Sequence, residues 1–419
     1  MGGVGLRFGL LKCLACVAIA ASFVVPVGVF GGPPSSKATA EKEWTLMIYW
    51  DADNSLESVT EFAITTWESS LPSNANLNIV ALIDLLSTDG IWIYDIVDGK
   101  RHMLAQWEEM NTADPATLEM FVEYSMAKFP SEKTMVVLQD HGYSWRGLCK
   151  DETNGYALMS FDGVGNALKN VKMATGKTID LLAFDACNMA HIEGMYELKD
   201  AADYVVGSEA FMPDDGLPYR MFISDLVSNP ALSPADLATN LVHEYVLYYG
   251  SKWDYEHQFK YTQDFATMAA FDMRKIGAVG EAFTEFTTVF KPIIPDHMNE
   301  IEAARGYSLI GTWGNMAGWE WNPDLITFVE GLRAIAGHPE LTAAIDTLEM
   351  AFDAACIAED HSRKYHDTVH GIHFWFPPSL SMYNSNGYTW AKQFVYHDIG
   401  LDLVAESSWY DCLMTYYSS

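Results

Sequence analysis

The sequence has little positive charge. It contains 25 Lys and Arg against 56 Asp and Glu, and its formal net charge is −31. A surface this acidic repels nucleic acid and anionic lipid and attracts basic ligands, so we expect no nucleic-acid partner. On charge alone, plain solubility is the favoured explanation. We expect a monomer.

Cysteine is also scarce. The chain has six in 419 residues, and two of them, Cys13 and Cys16, lie in the N-terminal segment. The other four are Cys149, Cys187, Cys356 and Cys412. Four are too few for a disulfide framework in a chain of this size, and they form no C-x-x-C pair for a zinc site. Pairing of Cys356 with Cys412 remains open.

Residues 1–40 differ in composition from the rest. Arg7 and Lys12 are the only charges before residue 37, residues 14–30 are mainly apolar, and residues 38–40 are Ala-Thr-Ala. A basic start, an apolar middle and a small-x-small end predict an export signal with a pro-linker, and so a secreted or cell-envelope protein. The alternative is an uncleaved membrane anchor, because the apolar run is about long enough to span a bilayer. Only in that case do we expect contact with a membrane.

Short apolar runs alternate with helical patterns in the first half of the chain. The predicted strands span residues 44–50, 77–83, 91–94, 133–139, 179–184 and 204–206. The predicted helices between them span residues 54–67, 113–128, 163–174 and 189–198. This alternation predicts an α/β fold with a mostly parallel sheet over residues 41–230. Residues 231–419 read as a mainly helical extension with a late strand at 371–376.

Parallel sheets bind their ligands at the carboxyl ends of the strands. The residues expected at those ends are Asp51, Asp84, Asp140, His141, Asp185 and Cys187. Cys187 also precedes a predicted helix, whose dipole would favour the reactive thiolate. A neutral His141 within reach could take the thiol proton, so we predict a Cys–His dyad. An inert buried cysteine and a capping histidine are the alternatives.

Histidines gather near the predicted late strand. His366, His370 and His373 lie within eight residues of one another. They lack the carboxylate or thiol spacing of a known metal site, so no metal site is predicted from them.

Five segments, taken in order, resemble the clostripain family of cysteine peptidases. They are Trp44–Glu57, Gln139–Trp145, Asp180–Ala190, Gly207–Tyr219 and Gly371–Pro377. The resemblance implies a caspase-like three-layer sandwich with a Cys187–His141 dyad and cleavage after Arg or Lys. It further implies that Asp185 lines the specificity pocket and that Asp215 is a second pocket acid. A carboxylate at the base of a pocket does select a cationic side chain. A strand-end cap for Asp185 and a turn for Asp215 are the alternatives.

Two further predictions concern the oxyanion site and cleavage of the chain during maturation. The backbone N–H groups of Gly142 and Cys187 would stabilise the oxyanion. Family members are often cut in a loop after a basic residue, and Arg146 and Lys150 lie in such a loop. Tyr143 stands where the family has smaller residues, which limits how far substrate preference can be inferred.

No cofactor is expected to be required, but calcium stays open because some members of the family need it. Asp51-Ala52-Asp53 begins like an EF-hand loop. Leu56 then stands where that loop needs Gly, and Phe62 where it needs Glu. The alternative function, in another class, is a non-catalytic caspase-like module that binds basic peptides. That module would need neither Cys187 nor His141.

Overall fold

The central sheet is built from apolar runs that are buried on both faces. The computed structural model describes residues 41–251, 266–310, 321–362, 368–385 and 394–419, and the predicted export signal lies outside them. The sheet strands are β1 (Lys42–Ala52), β2 (Leu77–Leu85), β3 (Ile91–Val97), β4 (Lys100–Trp107), β5 (Ser131–Gln139), β8 (Ile179–Asp185), β9 (Ala202–Gly207), β10 (Thr267–Asp272) and β11 (Cys356–His361). A separate hairpin comprises β6 (Leu148–Asp151) and β7 (Ala157–Met159).

The strand order in the sheet is β11-β10-β9-β8-β5-β1-β2-β3-β4. The five central strands, β9 to β2 in that order, are parallel to one another. Antiparallel pairs flank them on both sides, so seven of the nine described strands of this sheet run in the same direction. The prediction of an α/β fold with a mostly parallel sheet is therefore confirmed.

Helices cover both faces of the sheet. They are α1 (Glu57–Ser70), α2 (Pro115–Lys128), α3 (Phe161–Thr175), α4 (Ile192–Glu197), α5 (Tyr219–Ser228), α6 (Pro234–Ser251), α7 (Met273–Phe290), α8 (Met298–Ser308), α9 (Leu325–Gly331), α10 (Pro339–Ala355), α11 (Leu380–Ser385), α12 (Asp402–Glu406) and α13 (Trp409–Ser418). Successive side chains of a strand point to opposite faces. Met47 and Tyr49 of β1 accordingly join a core with α2, α3 and α7, whereas Ile48 and Trp50 join a second core with α1, α5 and α6. The result is a three-layer sandwich.

The C-terminal part is not only a helical extension. Strands β10 and β11 come from it and continue the sheet beyond β9, so the predicted boundary at residue 230 does not separate it from the core. The late strand predicted at 371–376 is also wrong. That segment is extended, but it pairs only through isolated bridges of His373 to His191 and Asp324.

The cysteines show no pairing in the described residues. Cys356 and Cys412 are both free thiols. Each donates to a backbone carbonyl, Cys356 to Ala358 and Cys412 to Thr287, so the pairing left open by the sequence is not formed.

None of the helices in the described ranges is both long enough and apolar enough to cross a membrane.

We expect Phe374→Ala to lower the free energy of unfolding by about 3–5 kcal/mol, because truncating a buried Phe loses transfer energy and leaves a cavity. Phe374 is fully buried, and its ring centroid lies 5.0 Å from that of Trp409 and 5.2 Å from that of Phe328. Urea denaturation followed by circular dichroism measures the change. Met350→Ala is the matched control, since Met350 is 72% exposed. An equal effect of the two changes would contradict the prediction.

Candidate active site

The carboxyl ends of β5 and β8 lie side by side. Gln139 is in register with Asp185, and the N–H of Asp140 donates to the carbonyl of Asp185 at 3.3 Å. Just beyond them, a Cβ placed on Gly142 would lie 2.0 Å from the carbonyl oxygen of Cys187 and 2.9 Å from its nitrogen. Only glycine fits at this contact. The loop of His141 and the turn of Cys187 therefore touch through their backbones.

Cys187 lies in a turn, not at a helix N-terminus. Helix α4 begins only at Ile192, so the predicted help from a helix dipole is wrong, because that effect fades beyond the first turn. The half-buried thiol is held by backbone groups instead. The N–H of Met212 donates to Sγ at 3.2 Å, and the next residue, Asn188, has a left-handed φ of 59°.

His141 is a neutral imidazole in this site. Burial lowers its pKa to about 4, and the nearby charge of Lys150 adds to that effect. Its Nε2 lies 3.0 Å from the hydroxyl oxygen of Ser55. This contact leaves Nδ1 as the ring nitrogen that can exchange a proton with a thiol. Ser55 could not be identified from the sequence, because it contacts His141 only through the folding of the chain.

Distant parts of the chain hold the His141 loop in place. Ser144, with a left-handed φ of 54°, bonds through its hydroxyl to Nε2 of His373 at 2.9 Å. The ring of Trp145 packs 4.9 Å from that of Trp375. Buried His373 thus acts as a packing and hydrogen-bonding partner of the loop.

A buried carboxylate lies beside Cys187. Asp185 accepts hydrogen bonds from the N–H of Leu217 at 2.9 Å and from the hydroxyl of Tyr219 at 2.8 Å. A Cβ on Gly216 would lie 2.6 Å from either carboxylate oxygen. The turn of half-buried Asp215 therefore packs against Asp185. Burial raises the pKa of Asp185 to about 7, although its two donors oppose the shift.

The two predicted processing residues are not exposed. Arg146 is only 1% exposed, and its guanidinium stacks 4.5 Å from the ring centre of Trp145. Lys150 lies in β6 and pairs with Glu152. A peptidase needs an accessible, extended segment, so the burial of Arg146 argues against cleavage there in this folded state.

The other histidines do not converge on a metal site. His366 lies outside the described residues. Nδ1 of His370 lies 3.1 Å from Oδ1 of Asp324. Within the described ranges, the one group with the geometry to hold a metal ion is acidic and contains no histidine. It comprises Asp53, Asp84, Glu109 and Asp151, hereafter the acidic cluster.

Sequence reasoning missed the acidic cluster as a site, although it placed Asp51 and Asp84 at strand ends. Burial followed by repulsion from other carboxylates raises the pKa of Asp84 to about 8. Burial also raises the pKa of Asp53, to about 6. Asp151 ends β6 and Glu109 lies two residues after the end of β4. Neither of these strands was predicted from the sequence, so the strand-end pattern did not point to them.

Residues 48–304 match the model of the clostripain family, peptidase C11. The chain belongs to the clostripain family. The family resemblance expected from the five sequence segments is therefore confirmed.

One relative and two solved structures illustrate the relationship to the family. Clostripain of Hathewaya histolytica is 26% identical over 221 residues, which are 44% of this chain and 42% of that protein. The match thus spans less than half of the relative's length. A secreted C11 cysteine protease from Bacteroides thetaiotaomicron, in complex with an irreversible peptide inhibitor, is similar with a TM-score of 0.63 at 18% identity, covering 88% of this chain and 99% of that one. An inactive zymogen C11 protease from Parabacteroides distasonis is similar with a TM-score of 0.60 at 16% identity, covering 86% and 99%.

We expect Cys187 to be alkylated faster than the other three described cysteines. Cys149 and Cys412 are buried, and burial raises the pKa of Cys356 and that of Cys412 to about 12. The thiolate is the reactive form, so these three thiols should react slowly at neutral pH. Brief treatment with iodoacetamide followed by peptide mass spectrometry measures the order. Faster labelling of Cys356 than of Cys187 would contradict the prediction.

Proposed function

We propose that this chain is a cysteine endopeptidase that cleaves peptide bonds after Arg or Lys, with Cys187 as nucleophile and His141 as base. The observation that carries the proposal is the contact between Gly142 and the backbone of Cys187. It joins the histidine loop to the cysteine turn at the sheet edge where α/β folds bind their ligands. Membership of the clostripain family supports the same chemistry.

The reaction is an acyl transfer. Cys187 loses its proton to His141, and the thiolate attacks the carbonyl carbon of the scissile bond. The N–H of Gly142 donates to no acceptor among the described residues, and together with the N–H of Cys187 it can stabilise the oxyanion. The protonated His141 then gives its proton to the leaving amine. It next takes a proton from the water that hydrolyses the thioester.

The preference for a basic side chain rests on Asp185. This carboxylate is buried, and each of its oxygens accepts one hydrogen bond from the protein. A carboxylate oxygen can accept more than one, so both retain capacity for a guanidinium. Burial makes an uncompensated charge costly, so a cationic side chain that pairs with Asp185 is strongly favoured over a neutral one. Asp215, on the adjoining turn, would add to the negative potential of the pocket.

We further propose that the protein is exported. The basic, apolar and small-residue layout of residues 1–40 supports this proposal. The C11 protease of Bacteroides thetaiotaomicron with the same fold is described as secreted.

We expect hydrolysis of an Arg-amide fluorogenic substrate to fall at least about a thousandfold in Cys187→Ala, because the triad and dyad residues of such enzymes act as a unit. His141→Ala should lose at least about a hundredfold, the usual contribution of a general base. Steady-state kinetics with the matched Asp-amide substrate tests the pocket. Activity of Cys187→Ala equal to that of the parent would contradict the peptidase proposal. Faster turnover of the Asp substrate would contradict the basic pocket.

We expect kcat/KM for the Arg substrate to fall as the pH drops below 7, by up to about tenfold per pH unit. This is the steepest fall that protonation of one group, here Asp185, can cause. Burial raises the pKa of Asp185 to about 7, so below that pH the free protein holds a neutral acid that cannot pair with the cation. A substrate with citrulline in place of arginine is the matched control, because it has the same shape without the charge.

The variant Asp185→Asn should abolish the fall in kcat/KM below pH 7. It should also abolish the preference for arginine over citrulline. A pH profile that keeps the same fall in Asp185→Asn would show that another group is responsible and would contradict the assignment.

A further inference from the structure

The loops that follow β1 and β5 are joined by two consecutive side-chain pairs. The two strands are parallel neighbours in the sheet, so the chain leaves both of them at the same edge. Nδ2 of Asn54 donates to Oδ1 of Asp140 at 2.7 Å. The hydroxyl oxygen of the next residue, Ser55, lies 3.0 Å from Nε2 of the next residue on the other loop, His141. The contact between Ser55 and His141 is therefore supported by a neighbouring pair that ties the same two loops together.

The backbone on either side of Ser55 is fixed by Asn54. Asn54 is 1% exposed, and its Nδ2 also donates to the carbonyl oxygen of Lys150 at 3.0 Å. Its Oδ1 accepts from the N–H of Leu56 at 2.9 Å, and its carbonyl oxygen accepts from the N–H of Glu57 at 3.2 Å. The side chain of Ser55 is exposed, but the chain that carries it is held in place. Its hydroxyl therefore needs to select only one rotamer to reach the imidazole.

The hydrogen bond to Ser55 can fix the tautomer of His141. Among the described residues, it is the one hydrogen bond that the His141 side chain makes. The bond made by one ring nitrogen of a histidine decides which nitrogen carries the proton. A hydroxyl oxygen can accept from Nε2–H, and Nδ1 is then free to take the proton of a thiol. Nε2 keeps its proton when the ring becomes charged, so the same bond persists in both states of the base.

We propose that Ser55 is a positioning residue, whose hydroxyl accepts a hydrogen bond from Nε2–H of His141 and so presents Nδ1 to Cys187. The inference rests on the proposed function, in which His141 is the base. Ser55 differs from the aspartate of a Ser-His-Asp triad, because a hydroxyl carries no charge with which to stabilise an imidazolium. Its effect is on the orientation and tautomer of the ring. The pKa of His141, which burial lowers to about 4, agrees with a neutral partner.

The kinetic test compares Ser55→Ala and Ser55→Thr with the parent on the Arg-amide substrate. We expect Ser55→Ala to lower kcat about three- to tenfold, the usual contribution of one neutral hydrogen bond. KM should change by less than about twofold, because the bond aids proton transfer and not binding of the substrate. Ser55→Thr keeps the hydroxyl and should restore most of the lost kcat.

Ser69→Ala is the matched control, because Ser69 is an exposed serine of α1 whose hydroxyl donates to the carbonyl oxygen of Thr66. It should leave kcat unchanged, and circular dichroism checks that each variant is folded. Unchanged kcat in Ser55→Ala, with Cys187→Ala inactive, would overturn the role of Ser55 and leave the proposed function standing. An equal loss of kcat in folded Ser55→Ala and Ser55→Thr would also overturn that role.

A second measurement does not depend on turnover. Long-range proton–nitrogen correlation NMR of isotope-labelled Cys187→Ala at neutral pH reports which nitrogen of each histidine ring carries the proton. The signals of His141 are those that disappear when His141→Ala is added. We expect the proton on Nε2, and a proton on Nδ1 would overturn the proposal. A parent that cleaves no Arg-amide substrate would instead contradict the proposed function, and the tautomer would still decide the contact of Ser55.

Discussion

The parallel pairing of β5 with β8 is the constraint on which the site depends. Because side chains alternate along a strand, a slip of one residue in this pairing would turn every apolar residue of β8 to the wrong core. The register that places Gln139 opposite Asp185 also fixes the two chain ends that follow. Gly142 and Cys187 then touch at a distance that admits no side chain on Gly142. The chemistry of the site therefore follows from the packing of the two hydrophobic cores on either side of the sheet.

Several polar groups are buried around this edge, and three of them contact the loops that follow the strands. Asp140, Asp185 and His373 each fix a loop through hydrogen bonds to distant residues. Burial raises the pKa of Asp140 and that of Asp185, and lowers the pKa of His373. All three groups are thus driven towards their neutral forms in the resting molecule. A cationic substrate would supply positive charge to this edge.

Much of the central sheet could be predicted from local sequence. Continuous apolar runs identified β5 and β8 to within about two residues at each end, and the polar residues that follow them identified the candidate dyad. The last two described strands of the chain, β10 and β11, were not predicted because their local composition does not resemble that of a strand. β10 contains two alanines among six residues, and β11 directly follows α10 within a predicted helical pattern. β10 becomes a strand through pairing with β9, and β11 through pairing with β10. Such long-range pairing cannot be detected from a short stretch of sequence.

Only part of the candidate site could be predicted, because some of its residues meet through long-range folding of the chain. Residues at strand ends, such as His141 and Cys187, could be found because topology alone brings them together. Ser55 and the acidic cluster depend on how loops fold back, and no spacing in the sequence encodes that. The supposed helix after Cys187 was wrong because the chain makes a turn through Asn188 before α4 begins.

The bond between Ser144 and His373 joins residues 229 positions apart in the chain. A polypeptide emerges from the ribosome, and from any export channel, with its N-terminal end first. The strands that carry His141 and Cys187 are therefore available long before the segment that secures the histidine loop. Until that late segment arrives, Ser144 and Trp145 lack their partners. The order of synthesis thus delays completion of the site until almost the whole chain has emerged, which would keep the nascent protein inert while it is being made.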